Sequence, residues 1–245
     1  MIGEENALSD SAVFAESIHS ALAKDQDSVD VFYNNPGALD AFCDAPSDKF
    51  FQEGWSASTA VSFVAKSFQT VRLGHKDAPA MAVIGKMLRS LYLHREIREK
   101  GGAYGGFSIY NSEDGLFSFG SYRDPHIVAT LKAYDGASDF IKTGNYTEED
   151  IKEAILQICS DIDKPDPPGP SARKAFARKI VFLTDDMRMD FKKNLLEITR
   201  NKVMTAAEKY FSDNNSSAVA VISNEDKLKE ANKKLPGHQL KLNRI

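Results

Sequence analysis

The histidines of this sequence are too widely spaced to form a local zinc site. A zinc-binding helix of a hydrolase carries two histidines one turn apart, with a neighbouring glutamate as the base. Here the two closest histidines, His75 and His94, are 19 positions apart, and the full set is His19, His75, His94, His126 and His238. Glu96 follows His94, but side chains two positions apart point away from each other on a helix. The sequence therefore predicts no metal site in this chain.

Nucleophilic catalysis has no better support in the sequence. Cys43 and Cys159 are the only cysteines, and neither has a histidine nearby. The nucleophile elbow Gly-x-Ser-x-Gly of the hydrolases is absent from the sequence. We expect both cysteines to act as small apolar residues in a reducing compartment.

Four glycines surround one tyrosine in the run Gly101-Gly102-Ala103-Tyr104-Gly105-Gly106. A phosphate-binding loop would lead into a helix and carry Lys-Ser or Lys-Thr, whereas this run follows a predicted helix and enters a predicted strand. Nucleotide binding is therefore excluded. Glycines at such a place indicate that another group approaches the backbone closely.

Arg98 precedes Tyr104 by six positions, near the end of the preceding helix. Two interpretations remain open from the residues alone. In the first, Arg98 complements the C-terminal dipole of the helix and Tyr104 packs in the turn. In the second, both side chains act on a ligand.

A hairpin predicted at 103–110 and 116–123 would carry Tyr104 in a sheet. Strand alternation predicts one set of side chains under the helices: Ala103, Gly105, Phe107, Ile109, Phe117 and Phe119. It predicts a second set that faces a cavity or another domain: Tyr104, Gly106, Ser108, Tyr110, Ser118, Gly120 and Tyr122.

The segments before the hairpin are predicted from periodicity and capping residues. An amphipathic helix is expected at 10–24 after a cap at Asp10 or Ser11, preceded by the end of a strand and followed by a connector at 25–55. A strand at 58–71 and a helix opened by Asp77 follow, and the apolar stripe of that helix comprises Met81, Ile84, Met87, Leu88 and Leu91.

The segments after the hairpin are mostly helical. Helices are expected from Asp124 to Gly144 and from Thr147, whose capping box uses Asp150. The proline-rich segment 164–170 predicts a loop. Further elements are predicted as helices at 171–183, 186–198 and 200–211, a strand at 218–222 and a helix after Asn224. This order favours an α+β fold, in which a mostly antiparallel sheet is covered on one face by helices.

Composition excludes several partners. The 245 residues carry 31 Lys and Arg against 35 Asp and Glu, a net charge of −4. This balance gives no basic footprint for nucleic acid. No apolar run long enough to span a membrane and no secretion signal are evident, so we expect no membrane partner.

The stretch from Leu93 to Gly105 contains Ile-Arg-x-Lys-Gly-Gly-Ala-Tyr-Gly. It resembles the last domain of presequence-protease-type enzymes, a single-chain branch of the pitrilysin/insulinase zinc metallopeptidases. The resemblance continues through Ser108, through Tyr122-Arg123-Asp124-Pro125 and through 146–151, and covers about residues 55–223.

The resemblance implies a noncatalytic C-terminal lobe of an enzyme that degrades short unfolded peptides. Arg98 and Tyr104 would hold the substrate backbone across a closed chamber, and Gly101, Gly102, Gly105 and Gly106 would let the peptide approach. Zinc would be bound by the N-terminal domain of the full-length enzyme and not by this chain. The alternative is a noncatalytic structural or docking subunit of the same superfamily.

The same resemblance suggests a domain division, partners and a location. Residues 1–54 would be the end of a preceding domain and a connector, and residues 55–245 the inactive peptidase-like domain. A short similarity between Met1–Asn6 and Val221–Asp226 agrees with this division. The partners would be the remaining domains of the polypeptide, or a catalytic subunit, and unfolded peptides. We expect a bacterial cytoplasm, with a mitochondrial or other organelle matrix as the alternative.

Overall fold

The structure is a computed structural model that describes residues 5–22, 51–211, 217–235 and 239–245. Its contacts divide the chain into two units. The first comprises Met1–Lys49 and Pro165–Phe182, and the second comprises Phe50–Lys164 and Leu183–Ile245. The predicted hairpin and the candidate site residues lie in the second unit.

Six strands of the second unit form one sheet with the order β3-β4-β2-β5-β1-β6. The strands are β1 Gln52–Ser56, β2 Ser62–Gln69, β3 Gly105–Asn111, β4 Leu116–Asp124, β5 Ser217–Ser223 and β6 Lys241–Arg244. The pairs β3–β4, β4–β2 and β2–β5 are antiparallel, whereas β5–β1 and β1–β6 are parallel. The sheet is thus mixed but mostly antiparallel, as predicted.

The described helices fall in both units. The first unit contains α1 Glu5–Leu22 and α5 Pro168–Ile180. The second contains α2 Ala78–Met87, the π-helix π1 Leu88–Lys100, α3 Val128–Thr143, α4 Glu148–Asp163, α6 Asp185–Leu196, α7 Arg200–Tyr210 and α8 Glu225–Lys234. The predicted α+β class is confirmed.

One face of the sheet carries the core of the second unit. Its buried strand residues are Val64, Phe68, Phe117, Phe119, Val219 and Val221. The predicted stripe of α2 lies in the same core, since Met81, Ile84 and Met87 are at most 1% exposed. From α3, the Tyr134 hydroxyl donates to the Val64 carbonyl at 2.9 Å, which satisfies a buried polar group. We call the opposite side of the sheet the open face.

The structure confirms the hairpin but corrects the faces of β3. Ser108 is paired with Phe119, and Tyr110 with Phe117, so these residues share the helix-covered face. The Ser108 hydroxyl donates to the Gly85 carbonyl at 2.7 Å, which explains how a polar residue is buried there. Gly106 also lies on that face. The prediction was therefore wrong for Gly106, Ser108 and Tyr110.

The corresponding correction applies to the apolar residues of β3. Phe107 is paired with Gly120 and Ile109 with Ser118, so both lie on the open face together with Gly105. Ile109 is 52% exposed. The prediction of burial was wrong for Gly105, Phe107 and Ile109, because apolar character alone did not indicate which face meets the helices. It is confirmed for Ala103, Phe117 and Phe119, and Tyr104, Ser118, Gly120 and Tyr122 lie on the open face as predicted.

Several predicted boundaries also change. Helix α1 begins at Glu5, so the predicted cap at Asp10 or Ser11 and the strand end at 5–6 are wrong; residues 1–4 lie outside the described part. Residues 52–55, predicted as connector, form most of β1, while 25–50 lie outside the described residues. Helix α5 begins at Pro168, inside the predicted loop, because a helix tolerates prolines in its first turn.

Two sequence-predicted caps are confirmed. Thr147 and Asp150 form a complete capping box at α4, with the Thr147 hydroxyl accepting from Asp150 N at 3.1 Å. The Asn224 side chain accepts from Lys227 N at the start of α8. These caps fix the residue at which each helix begins.

Candidate functional site

Arg98 lies on the last turn of π1 with an exposed side chain. Its Nη1 atom is 3.5 Å from Nε2 of His94, which is also exposed. Its carbonyl accepts from Gly102 N at 3.0 Å, so the backbone of Arg98 helps to close the helix. The guanidinium is thus held from one side and remains accessible to a ligand.

Gly101 and Gly102 end π1. Gly102 has a φ angle of 74°, a left-handed conformation that favours glycine at the end of a helix. A Cβ atom at Gly101 would lie 2.6 Å from the Ile97 carbonyl oxygen. Both glycines are therefore explained by the turn that carries the chain from the helix toward Tyr104.

Gly105 and Gly106 differ from each other in their surroundings. A Cβ atom at Gly106 would lie 2.8 Å from Cβ of Ile97, closer than side chains tolerate. A Cβ atom at Gly105 would meet nothing within 4 Å. Close packing of β3 on π1 explains Gly106, whereas Gly105 leaves free space on the open face beside Tyr104.

We expect Gly106→Ala to lower the free energy of unfolding by about 1–3 kcal/mol, because the new methyl group overpacks Ile97. Gly105→Ala is the matched control, and we expect it to leave stability unchanged or to raise it by about 0.4–1 kcal/mol. Urea titrations of both variants followed by circular dichroism measure the two effects. Equal stabilities of the two variants would contradict the assignment of the faces.

Tyr104 stands exposed at the entrance to β3. The residue is 68% exposed, and its ring makes an edge contact with Tyr122 at a centroid distance of 5.7 Å. Its N–H group donates to the carbonyls of Tyr122 at 3.1 Å and Arg123 at 3.4 Å. The backbone and ring of Tyr104 are therefore held by the end of β4, and the hydroxyl is available to a ligand.

Tyr104 begins a row of side chains that crosses the open face. Tyr122 contacts Phe63 edge to face at 5.4 Å, and Phe63 is paired with Ile222. Ile222 is in turn paired with Trp55 on β1, so the row reaches the parallel part of the sheet. We call these five residues the open-face row. Sequence alternation predicted Tyr104 and Tyr122 on this face but not the rest of the row.

Arg98 and Tyr104 are both accessible, but the structure gives them different neighbours. Among the described residues, no hydrogen bond or cation–π contact joins the two side chains. A guanidinium and a phenol that are both exposed can each donate hydrogen bonds to an acceptor such as a peptide carbonyl. Both side chains can therefore donate hydrogen bonds to a ligand on this side of the domain.

Arg123 is a residue that the sequence analysis did not single out as functional. Its backbone is left-handed, with a φ angle of 51°, and its guanidinium carbon lies 5.8 Å from the centroid of the Tyr122 ring. The local sequence does not indicate a left-handed backbone conformation at Arg123, because this conformation depends on the hydrogen bonds that anchor β4 at Asp124. The Asp124 carboxylate accepts from His126 N at 2.9 Å and from the Thr130 hydroxyl at 2.6 Å.

In the described part of the chain, no group of three or more acidic, histidine or cysteine side chains is arranged to hold a metal ion. His19 lies on α1 and His94 on π1, whereas His75 and His126 lie in loops; His238 and Cys43 lie outside the described residues. Cys159 is a free, half-buried thiol on α4. The described residues thus offer no ligand set that fits zinc. No described helix is long and apolar enough to cross a bilayer.

Comparisons with known proteins give consistent similarities. The family model described as "PreP C-terminal domain" matches residues 52–225. The mitochondrial presequence protease of Danio rerio is 37% identical over 150 residues, which are 61% of this chain and 14% of that protein. The Kluyveromyces lactis counterpart is 34% identical over 222 residues, 87% of this chain and 22% of that protein. This chain therefore spans less than a quarter of either relative.

A solved structure shows the same fold. The crystal structure of a peptidase M16 inactive domain from Pseudomonas fluorescens superimposes with a TM-score of 0.56 at 15% identity. The match covers 71% of this chain and 43% of that chain. At this identity the likeness establishes the fold alone.

Proposed function

Since the chain belongs to the PreP C-terminal domain family, we propose that it forms the noncatalytic C-terminal lobe of a zinc metalloendopeptidase that degrades short unfolded peptides. In this proposal the lobe closes the chamber, and Arg98 and Tyr104 hold the substrate backbone. The catalytic zinc belongs to the N-terminal domain of the full-length enzyme. The partners of the lobe are the remaining domains of that enzyme and its unfolded peptide substrates.

The accessibility of Tyr104 is the observation that carries the proposed role. A tyrosine that merely packed in the turn would be buried, whereas Tyr104 is 68% exposed on the open face. An extended peptide that passes Gly105 would find no side chain in its way there. The Tyr104 hydroxyl and the Arg98 guanidinium would then donate hydrogen bonds to the peptide carbonyls, and to the negative charge that develops on one of them in the transition state.

The domain division is part of the same proposal. In the similarity between Met1–Asn6 and Val221–Asp226, Glu5 aligns with Glu225. Helix α1 begins at Glu5, and helix α8 begins at Glu225. This agreement supports residues 1–54 as the end of a preceding domain and a connector, although residues from 52 onward join the sheet. We therefore expect the inactive peptidase-like domain to begin at about residue 52 instead of 55.

We also propose a mitochondrial location. Both relatives described above are named mitochondrial presequence proteases. The bacterial cytoplasm expected from the sequence receives no support from these relatives.

The chain alone is expected to bind no stoichiometric zinc and to cleave no peptide, because its described residues contain no ligand cluster. A longer polypeptide that also contains the upstream domains is expected to bind zinc and to cleave peptides. Elemental analysis of untagged protein and a quenched-peptide assay on both forms test this. One tightly held zinc ion per isolated chain, or cleavage by it, would overturn the proposed division of labour. A longer polypeptide that neither binds zinc nor cleaves would favour the alternative of a structural or docking subunit.

A further inference from the structure

Strand β4 contains one residue more than β2 where the two strands approach the open-face row. Their pairing joins Val64 to Ser121, and the next pair joins Ser62 to Asp124. Two steps along β2 therefore match three steps along β4. The additional residue lies at Tyr122–Arg123, and Arg123 has the left-handed φ of 51. We call these two residues the 122–123 bulge.

Both ends of the 122–123 bulge are anchored. On one side, Ser121 is paired with Val64 and with Gly106 in the regular ladders. On the other side, Asp124 is 1% exposed, and its carboxylate accepts from a backbone N–H and a hydroxyl at the start of α3. A left-handed conformation of a residue other than glycine persists only where its surroundings determine it, and these anchors do so here.

The bulge directs both of its carbonyl groups toward Tyr104. The Tyr104 N–H group donates to the carbonyls of Tyr122 and Arg123, at 3.1 and 3.4 Å. In a regular ladder, one N–H group meets one carbonyl of the partner strand. The Tyr122 ring also contacts the Tyr104 ring on one side and the Phe63 ring on the other. Among the described residues, Tyr122 is the ring that Tyr104 touches.

From this geometry we propose that Tyr122 and Arg123 are positioning residues for Tyr104. The bulge fixes the backbone of Tyr104, and the Tyr122 ring, supported by Phe63, fixes the direction of the Tyr104 side chain. Arg123 acts mainly through its backbone conformation, and its guanidinium adds a contact with Tyr122 at 5.8 Å. The functional part of this inference rests on the proposed role of Tyr104 in holding substrate.

The first arm of the test measures position directly in this chain. Arg123→Val places a β-branched residue at a positive φ, which opposes the bulge, whereas Arg123→Gly permits that conformation. We expect Arg123→Val to abolish hydrogen-exchange protection of the Tyr104 amide and to shift the Tyr104 ring resonances in spectra of tyrosine-labelled protein. We expect Arg123→Gly to retain both.

The second arm measures turnover of a quenched peptide by the longer enzyme. Displacing a positioned group by about 1 Å costs up to roughly 10²-fold in rate, so we expect a loss in kcat of this order for Arg123→Val. Arg123→Gly should rescue most of it. Tyr122→Ala should likewise lower kcat, and Tyr122→Phe, which keeps the ring, should rescue it. Ile109→Ala, on the open face but away from the bulge, is the control.

The two arms separate this inference from the proposed function. If Arg123→Val leaves the Tyr104 amide protected and its ring resonances unmoved, the positioning role is wrong. If these signals change but kcat does not, Tyr104 is positioned as inferred while its role in holding substrate is wrong. Should Arg123→Val fail to fold, the Tyr122 pair decides, since Tyr122 is 43% exposed and its truncation spares the core. Unchanged Tyr104 ring resonances in Tyr122→Ala would then overturn the inference, whereas changed resonances with equal kcat values for Tyr122→Ala and Tyr122→Phe would overturn only the role of Tyr104 in holding substrate.

Discussion

In the longer enzyme, Tyr104→Phe is expected to lower kcat by about 10²–10³-fold and to leave the melting temperature unchanged. The hydroxyl group is the only part that the substitution removes. The ring contact with Tyr122 and the backbone bonds to β4 do not depend on that hydroxyl, so folding should be unaffected. Steady-state kinetics with a short quenched peptide and thermal melts of the same preparations measure the two quantities.

Arg98→Ala in the same enzyme is expected to raise KM as well as to lower kcat. A guanidinium can hold the carbonyl of the bound substrate and the developing anion, so its loss affects both parameters. Lys100→Ala is the matched control, because Lys100 is a second cation on the last turn of π1 and its ion pair with Glu96 is exposed. It should cost at most about 0.3–1 kcal/mol in stability, with no kinetic effect.

If Arg98 only complements the helix dipole and Tyr104 only packs in the turn, different kinetic and stability effects are expected for these variants. Tyr104→Phe would then show parental kinetics, and Arg98→Ala only the small stability loss of a helix-end charge. Parental turnover by both variants would therefore remove Arg98 and Tyr104 from the substrate site. The domain would then be better described as a scaffold of the enzyme.

Phe117→Ala is expected to lower the free energy of unfolding by about 3–5 kcal/mol. Phe117 is fully buried, and its ring lies between Phe68, Phe119 and Phe211 at centroid distances of 5.0 to 5.4 Å. Truncation removes these contacts and leaves a cavity where the sheet meets the helices. Urea unfolding monitored by circular dichroism measures the loss.

Ile109→Ala is the control for Phe117→Ala, because Ile109 belongs to the same hairpin but is 52% exposed on the open face. We expect its effect to stay within about 0.5 kcal/mol. A large loss at Ile109 together with a small one at Phe117 would mean that the hairpin presents the opposite faces.

Local signals predicted most helices and the β3–β4 hairpin at one edge of the sheet. The stripe of α2, the capping box at Thr147 and the Asn224 cap depend on residues three or four apart, so the sequence alone contains the information. Strands β1 and β6 were missed because they pair in parallel with distant partners. The five residues of β1 include a glycine and show no apolar alternation of their own.

The candidate site was predictable only in part. The glycines around Tyr104 indicated an accessible side chain, and the resemblance supplied the proposed role of Arg98. The orientation of β3 depended on hydrogen bonds from Ser108 and Tyr110 to carbonyls outside the strand, which no alternation pattern contains. The left-handed Arg123 depends on the buried Asp124 and its partners on α3, so the local sequence does not reveal it.

Trp55 gives the open-face row an intrinsic optical probe. It is the only tryptophan of the 245 residues, and its indole N–H group donates to Glu53 Oε2 at 3.0 Å. Tryptophan fluorescence therefore arises from one known position, on β1 beside Ile222 of β5. Because the indole is only half-buried, a molecule that covers this part of the sheet would change its solvent contact and hence its emission spectrum. The natural fluorescence of the protein can thus report occupancy of this surface without a label.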